Sequence, residues 1–350
     1  METPFSDTEL ITIPDIYCPF PSQISPHLEH VQRHTLQWIQ DFRLMQKEAA
    51  LQHYLASNLS RFPCRVYPNA TLEELCFIDN WVTWITLVDD WFDDSGLGTR
   101  PADMYQLYQH LLAILQDPPL ATPQGPLAEA LADIWQRADS LTSSAWKRRF
   151  AQHHADFFAA CRWDAENRAH KRIPDVRAYI ENRRNSVANP MSFDLLDLSR
   201  HVEFPAEIYE SQPFQALLQV ANDIVAWHND VYSLNKELAH GDVSNLVLAV
   251  QYAQHCSLQE AMNQVCAMIE TETRRFQEMV QHFPTYSAEV DPDIRQYLFD
   301  LGKWIRGPLD WYHETLRYVE VEYTERGKAS SYLEQILPFR ELGDISSPTP

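Results

Sequence analysis

Four aspartates fall within six positions of the chain, Asp89, Asp90, Asp93 and Asp94, directly after the apolar run WVTWITLV. Carboxylates this crowded repel one another and raise each other's pKa unless a cation joins them. On a helix Asp89 and Asp93 stand four residues apart and share a face, with Asp90 beside them. Oxygen-only ligands suit Mg²⁺, a hard ion that takes one or two protein carboxylates and fills its remaining positions with water and phosphate oxygens. Ser95-Gly96 marks the helix end, where negative charge opposes the macrodipole, so solvation alone is a poor reason for the cluster. A second set of oxygens lies in WHNDVYSLNKELAHGD, where Asn229, Ser233 and Glu237 follow at steps of four. Each step turns a helix by roughly 400°, so amide, hydroxyl and carboxylate form one slowly drifting stripe. Such a weak oxygen site needs substrate phosphate and water to complete it, and Lys236 is placed to reach a bound anion.

Helices must carry both sets. From Pro26 onward nearly every segment shows apolar residues at helical period, among them ATLEELCFIDNWVTWITLVDDWF, PDVRAYIENRRNSVA and FQALLQVANDIVAWHNDVYSLNKELAHG. IRQYLFDLGKWIRGPLDWYHETLRYVEVEY reads as one more helix. No hairpin signal, fixed-period repeat, GxGxxG or GxxxxGK[ST] is present. The reading is one all-α domain over residues 26–325. An extended proline-rich segment, 1–25, lies across the body, and a C-terminal segment and tail, 326–350, is partly disordered.

Composition narrows the function classes. A net charge of −21 argues against nonspecific binding to nucleic acid or anionic membranes. Eight glycines against 22 prolines suit punctuated helices better than hairpins. The six cysteines are scattered with no CxxC pair, which reads as reduced thiols. Neither a signal peptide nor a membrane-length apolar run is apparent, so the expected location is the cytoplasm.

Taken together these residues resemble the class I terpene cyclases of bacterial type. The family's DDxx(D/E) motif matches Asp89-Asp90-Trp91-Phe92-Asp93, and its (N/D)DxxSxx(K/R)E motif matches Asn229 through Glu237 without departure. The family's diphosphate-sensing arginine lies 46 positions before the asparagine, and Arg183 stands there. A C-terminal Arg-Tyr pair is supplied by Arg317 and Tyr318. The resemblance spans roughly residues 14 to 325. It implies an antiparallel helix bundle with a cavity in its core, and an allylic isoprenoid diphosphate as substrate, most often farnesyl diphosphate. It also implies a set of Mg²⁺ ions (three in the family) held by Asp89, Asp93, Asn229, Ser233 and Glu237, and a monomer or homodimer.

The resemblance further implies that Arg183, Lys236, Arg317 and Tyr318 bind the diphosphate. In RRNSVANP it makes Ser186 a link and gives Val187 a catalytic role, presenting its backbone carbonyl to the ionising substrate beside Arg183 and Tyr318. Pro190 withholds an N–H from the helix ladder there, and Ala188 stands where relatives often have glycine. A cavity that stabilises a carbocation favours aromatic faces. Trp304, Trp311 and Tyr318, spaced by seven, share one helical stripe, with the tryptophans lining the cavity; Val82, Ile85 and Thr86 face the same way as Asp89. Many relatives carry phenylalanine near those three positions and this chain does not.

Other readings are a diterpene synthase acting on geranylgeranyl diphosphate, a chain-elongating prenyl diphosphate synthase, a His-Asp metallohydrolase and a non-catalytic helical interaction protein. The elongating enzyme needs a second DDxxD, which residues 229–237 do not supply. The metallohydrolase needs a His-Asp dipeptide, and the chain has none; His153 and His154 read as surface or capping residues. The interaction protein needs neither Arg183 at its fixed distance nor Arg317-Tyr318.

Overall fold

The computed structural model describes residues 11–94, 97–116, 121–240 and 242–318, with side chains described apart from those of 91–94, 97 and 239–240. Among the described residues the chain is all α, with no strand. The order is α1 (Leu28–Asp41), α2 (Glu48–Ser57), α3 (Arg61–Val66), α4 (Leu72–Asp94), a 3₁₀ turn (Leu97–Thr99), α5 (Pro101–Gln116), α6 (Pro126–Leu141) and α7 (Ser144–Ala169). Then come α8 (Val176–Ser186), α9 (Asn189–Arg200), α10 (Ala206–Tyr209), α11 (Gln212–His240), α12 (Leu246–Gln254), α13 (Leu258–Gln281) and α14 (Asp291–Tyr312). No described helix is long and apolar enough to cross a membrane.

Helix starts follow local chemistry. The Ser143 hydroxyl caps α7 by accepting from Trp146 N, Asp175 does the same for α8, and Ser257 with Glu260 forms a capping box on α13. Helices α4 and α11 carry apolar residues on most of their circumference, and residues 75–85 and 220–228 are buried without interruption. A helix apolar all round belongs in the interior. Helix α11 packs on α13 and α14, α4 on α1 and α6, and α5 on α7. The two motif helices are therefore the inner members of the bundle.

Residues 11–25 run extended, tied to α13 by paired Thr12–Gln259 hydrogen bonds of 2.8 Å and by the edge contact of Phe20 with Phe276. The predicted tail and residues 319–325 lie outside the described residues.

Two readings need correction. Helix α14 ends at Tyr312 rather than continuing toward residue 323, because the next turns dock on the α2–α3 corner. Thr315 Oγ1 donates to Ser57 O at 2.7 Å, Leu316 N donates to Ala56 O at 3.2 Å, and Glu314 is gripped by Arg61 and Arg65. Tyr318 is thus off the helical stripe of Trp304 and Trp311. Those two tryptophans are buried against α3, with Phe62 edge-on between them at 6.0 and 5.6 Å. The helices meet so closely that a Cβ on Gly307 would lie 2.6 Å from Val66 Cγ1.

His154 is also not a surface or capping residue: it is fully buried. Its Nε2 accepts from Trp81 Nε1 at 3.1 Å while Nδ1–H reaches Phe150 O at 2.8 Å, and burial pushes its pKa down to about 4. A neutral imidazole with both nitrogens engaged suits the core.

Candidate active site

The end of α4 places two neighbouring carboxylates in opposite environments. Asp89 is largely exposed, its side chain 56% accessible, and borders a cleft. Asp90 is buried and accepts from Arg317 Nη1 at 2.6 Å, Arg317 Nη2 at 2.5 Å and Lys236 Nζ at 3.2 Å. Burial works to raise the Asp90 pKa, but Arg317 and Lys236 overcome it and hold the carboxyl well below the usual range. Arg317 Nη2 also lies 3.8 Å from Asp89 Oδ2. The side chain of Asp93 lies outside the described residues.

Across the cleft, α11 presents the second set. Ser233 Oγ lies 2.7 Å from Asn229 O and 2.6 Å from Glu237 Oε1, so the three oxygen-bearing residues converge as their spacing requires. Arg183 Nη2 donates to Asn229 Oδ1 at 2.6 Å, and Arg183 Nε donates to Asp230 Oδ1 at 2.9 Å. Asn229 Nδ2 points to the hydroxyls of Tyr312 and Tyr318, both at 3.3 Å. Burial, then the nearby carboxylates of Asp242 and Asp230, push the Glu237 pKa up to about 8. A strongly shifted carboxylate lining a cleft is a signature of functional sites.

The cleft between the two helices is open to solvent. Asp89, Arg183, Asn229, Ser233, Lys236, Glu237, Arg317 and Tyr318 all border it. Sequence-distant residues are thereby brought together, 229 positions apart at the extreme from Asp89 to Tyr318. Trp304, Trp311, Val82, Ile85 and Thr86 do not border this cleft. Val82 and Ile85 are buried in the core and Thr86 is half-buried. The apolar side is instead supplied by α5 and α7, through Met104, Tyr108, Phe157 and Cys161.

Arg183 and Val187 sit at a break between α8 and α9. Ala188 there has φ 61°, a left-handed conformation costly for a residue with a Cβ. Pro190 lies in the first turn of α9, and Ser192 N and Oγ both turn back to Ala188 O. Val187 N reaches Arg183 O at 3.2 Å, and none of these bonds engages the Val187 carbonyl.

Several participants carry no motif signal. Tyr179, four residues before Arg183 on the same helix face, donates its hydroxyl to Asp230 Oδ2 at 2.7 Å; its spacing could have flagged it. Asn245 caps α12, accepting from Val247 N. Its amide also donates to Glu237 Oε2 at 2.8 Å and Asp230 O at 2.7 Å, which no local pattern announces. Tyr312, stacked on Tyr232 at 4.7 Å, is likewise a tertiary partner.

The donor set of Asp89, Asn229, Ser233 and Glu237 is all oxygen and fits a hard divalent cation. Among the described residues no three His, Cys, Asp or Glu gather to hold a metal, so amide and hydroxyl oxygens are needed.

An all-α bundle with two oxygen-bearing helices and basic groups around one cleft defines a class I terpenoid-synthase arrangement. Residues 80–275, which span both motifs, match terpene synthase family 2, C-terminal metal binding. The chain is 31% identical over 312 residues to germacrene A synthase of Nostoc punctiforme, covering 89% of this chain and 97% of that protein. It is 34% identical over 308 residues to the (+)-T-muurolol synthase of Roseiflexus castenholzii, covering 86% and 92%. The crystal structure of germacradien-4-ol synthase from Streptomyces citricolor superposes with TM-score 0.76 and 26% identity over 86% of this chain and 98% of that one. The chain belongs to the terpene synthase family and is a class I terpene synthase.

Proposed function

We propose that this enzyme ionises farnesyl diphosphate in the presence of Mg²⁺ and cyclises the resulting carbocation, with release of diphosphate, to a sesquiterpene hydrocarbon or alcohol. The observation that carries the reading is the convergence of Asp89, Asn229, Ser233 and Glu237 with Arg183, Lys236, Arg317 and Tyr318 on one cleft. The choice of a fifteen-carbon substrate is supported by the (+)-T-muurolol synthase relative, described as cyclising (2E,6E)-farnesyl diphosphate. The catalytic unit in this reading is the helical body of residues 26–325.

Asp89, Asn229, Ser233 and Glu237, joined by Asp93, would hold the magnesium ions, which when bound supply Lewis-acid charge to the diphosphate. Arg183, Lys236, Arg317 and the Tyr318 hydroxyl would add charge-assisted hydrogen bonds to the same leaving group. Two of those cations, Arg317 and Lys236, are already positioned by Asp90 beside the cleft. The site therefore keeps its cations in place at low reorganisation cost. Met104, Tyr108, Phe157 and Cys161 would wall the hydrocarbon chain, with the two aromatic rings offering faces to developing positive charge. Val187 would turn its carbonyl at the α8–α9 break to the ionising carbon.

The test is product analysis by gas chromatography with mass detection. The purified protein is incubated separately with geranyl, farnesyl and geranylgeranyl diphosphate, each with Mg²⁺ and with a chelator. A terpene from farnesyl diphosphate that vanishes with chelator is expected. Product from geranylgeranyl diphosphate alone replaces the sesquiterpene reading with a diterpene one, and unconsumed substrate throughout sinks the activity.

A further inference from the structure

We infer that Arg168, which lies outside every motif, is a positioning residue that clasps the two metal-binding walls together; this rests on the function proposed above. Arg168 stands one residue before the end of α7 and borders the cleft. Its Nε donates to Gly98 O at 3.1 Å, in the 3₁₀ turn four residues beyond α4. Its Nη1 donates to Asp242 Oδ2 at 2.9 Å, just beyond α11. One guanidinium therefore bridges the two segments that leave the two motif helices.

Asp242 carries the link into the second motif. Its amide donates to Glu237 O at 2.9 Å, and its Oδ1 accepts from Val243 N at 2.6 Å and Ser244 N at 2.9 Å. That turn delivers Asn245, whose amide donates to Glu237 Oε2. The Glu237 backbone and carboxylate are thus both held by a loop that Arg168 fixes. The Arg168–Asp242 pair is well shielded, at 16% and 13% accessible, so screening is modest and the planar fork sets direction as well as charge. Asp89 and Glu237 would each hold metal, and groups that orient such ligands from behind typically govern affinity by 10–100-fold.

The experiment compares the parent chain with R168Q, R168K and D242N, and with R162Q as a control. Arg162 is on the same helix, but in a half-exposed pair with Glu166 away from both loops. Two quantities are read: the Mg²⁺ concentration for half-maximal product formation, and binding of Mg²⁺ with inorganic diphosphate by calorimetry. Circular dichroism and melting check the fold. R168Q and D242N are expected to weaken Mg²⁺–diphosphate binding by about 10–100-fold, with a matching rise in the Mg²⁺ requirement. Together they should be no worse than either alone, since both cut one link. R168K should recover part of the loss, because an ammonium can meet Asp242 but not both partners in the fork geometry. R162Q should behave as the parent. Should R168Q not fold, D242N carries the same test through the other half of the link. A folded R168Q or D242N with unchanged Mg²⁺ dependence and calorimetry overturns the clasp while leaving the cyclase reading intact. A parent that makes no terpene and binds no Mg²⁺–diphosphate overturns both.

Discussion

The two walls of the cleft carry similar oxygen atoms and opposite electrostatics. At the end of α4, Asp90 is already neutralised by Arg317 and Lys236, and its carboxyl is held well below the usual range. On α11, Glu237 is half-buried among hydrogen-bond donors but also near the carboxylates of Asp230 and Asp242, and its pKa rises to about 8. One wall holds positive charge against an aspartate; the other holds a glutamate whose neighbours favour its protonated form. The contrast shows that a motif specifies ligand types, while neighbours decide which ligand is prepared for a cation and which is occupied.

Removing ligands is the strongest way to break that comparison. Asn229→Ala should lower turnover by roughly 10³-fold, and Asp89→Ala should lower it by a similar order, as measured by product formation at saturating Mg²⁺. Full Mg²⁺-dependent turnover in both variants would falsify the metal assignment. Next in size is the ion pair on the α4 side. Among the described residues, Asp90→Ala leaves the buried Arg317 with the Asp89 carboxylate at 3.8 Å as its nearest anion, and should destabilise the fold by about 3 kcal/mol, read as a lowered melting temperature. An unchanged melting temperature would show that the clamp is not structural.

Proton linkage sharpens the contrast further. Glu237 is raised from its ordinary 4.5 to about 8, so its contribution is fully present below 4.5 and is lost as pH rises through about 8 in the metal-free protein. Asp90 has the reverse sign, its contribution lost only as pH falls through its depressed value. Thermal melts in chelator across this range should show an alkaline decline that Glu237→Gln flattens. Over the same window the parent should bind Mg²⁺ more tightly as pH rises, because the ligand must be deprotonated. A pH-independent Mg²⁺ affinity would assign the proton elsewhere. The smallest effect is expected at the break beside Arg183. Ala188→Gly removes left-handed strain of roughly 1 kcal/mol but adds chain entropy of similar size to the unfolded state. Melting should shift only slightly, and a large loss would show that the Ala188 methyl is itself needed for packing.

Much of this protein was legible in its sequence for definite physical reasons. Helical period predicted the all-α fold, because α4 and α11 are apolar around most of their surface and have nowhere to go but the interior. Steps of four placed Asn229, Ser233 and Glu237 on one face, since helix geometry alone fixes that relation. The aromatic stripe failed for the same kind of reason. Spacing by seven is meaningful only while the helix lasts, and α14 stops at Tyr312 when Thr315 and Glu314 find partners on α2 and α3. His154 was misplaced because its partners, Trp81 and the Phe150 carbonyl, are not visible to local polarity.

What the sequence determined by itself was therefore the type and spacing of ligands within each helix, which depend on bonds between near neighbours. What only the tertiary structure decided was their state. Pairing Asp90 with a guanidinium 227 positions away, seating Glu237 against Asn245 and Asp242, and walling the cleft with α5 and α7 are long-range outcomes. Burial and Coulomb interaction depend on distance in space, and the order of residues along the chain does not contain that distance until the helices pack.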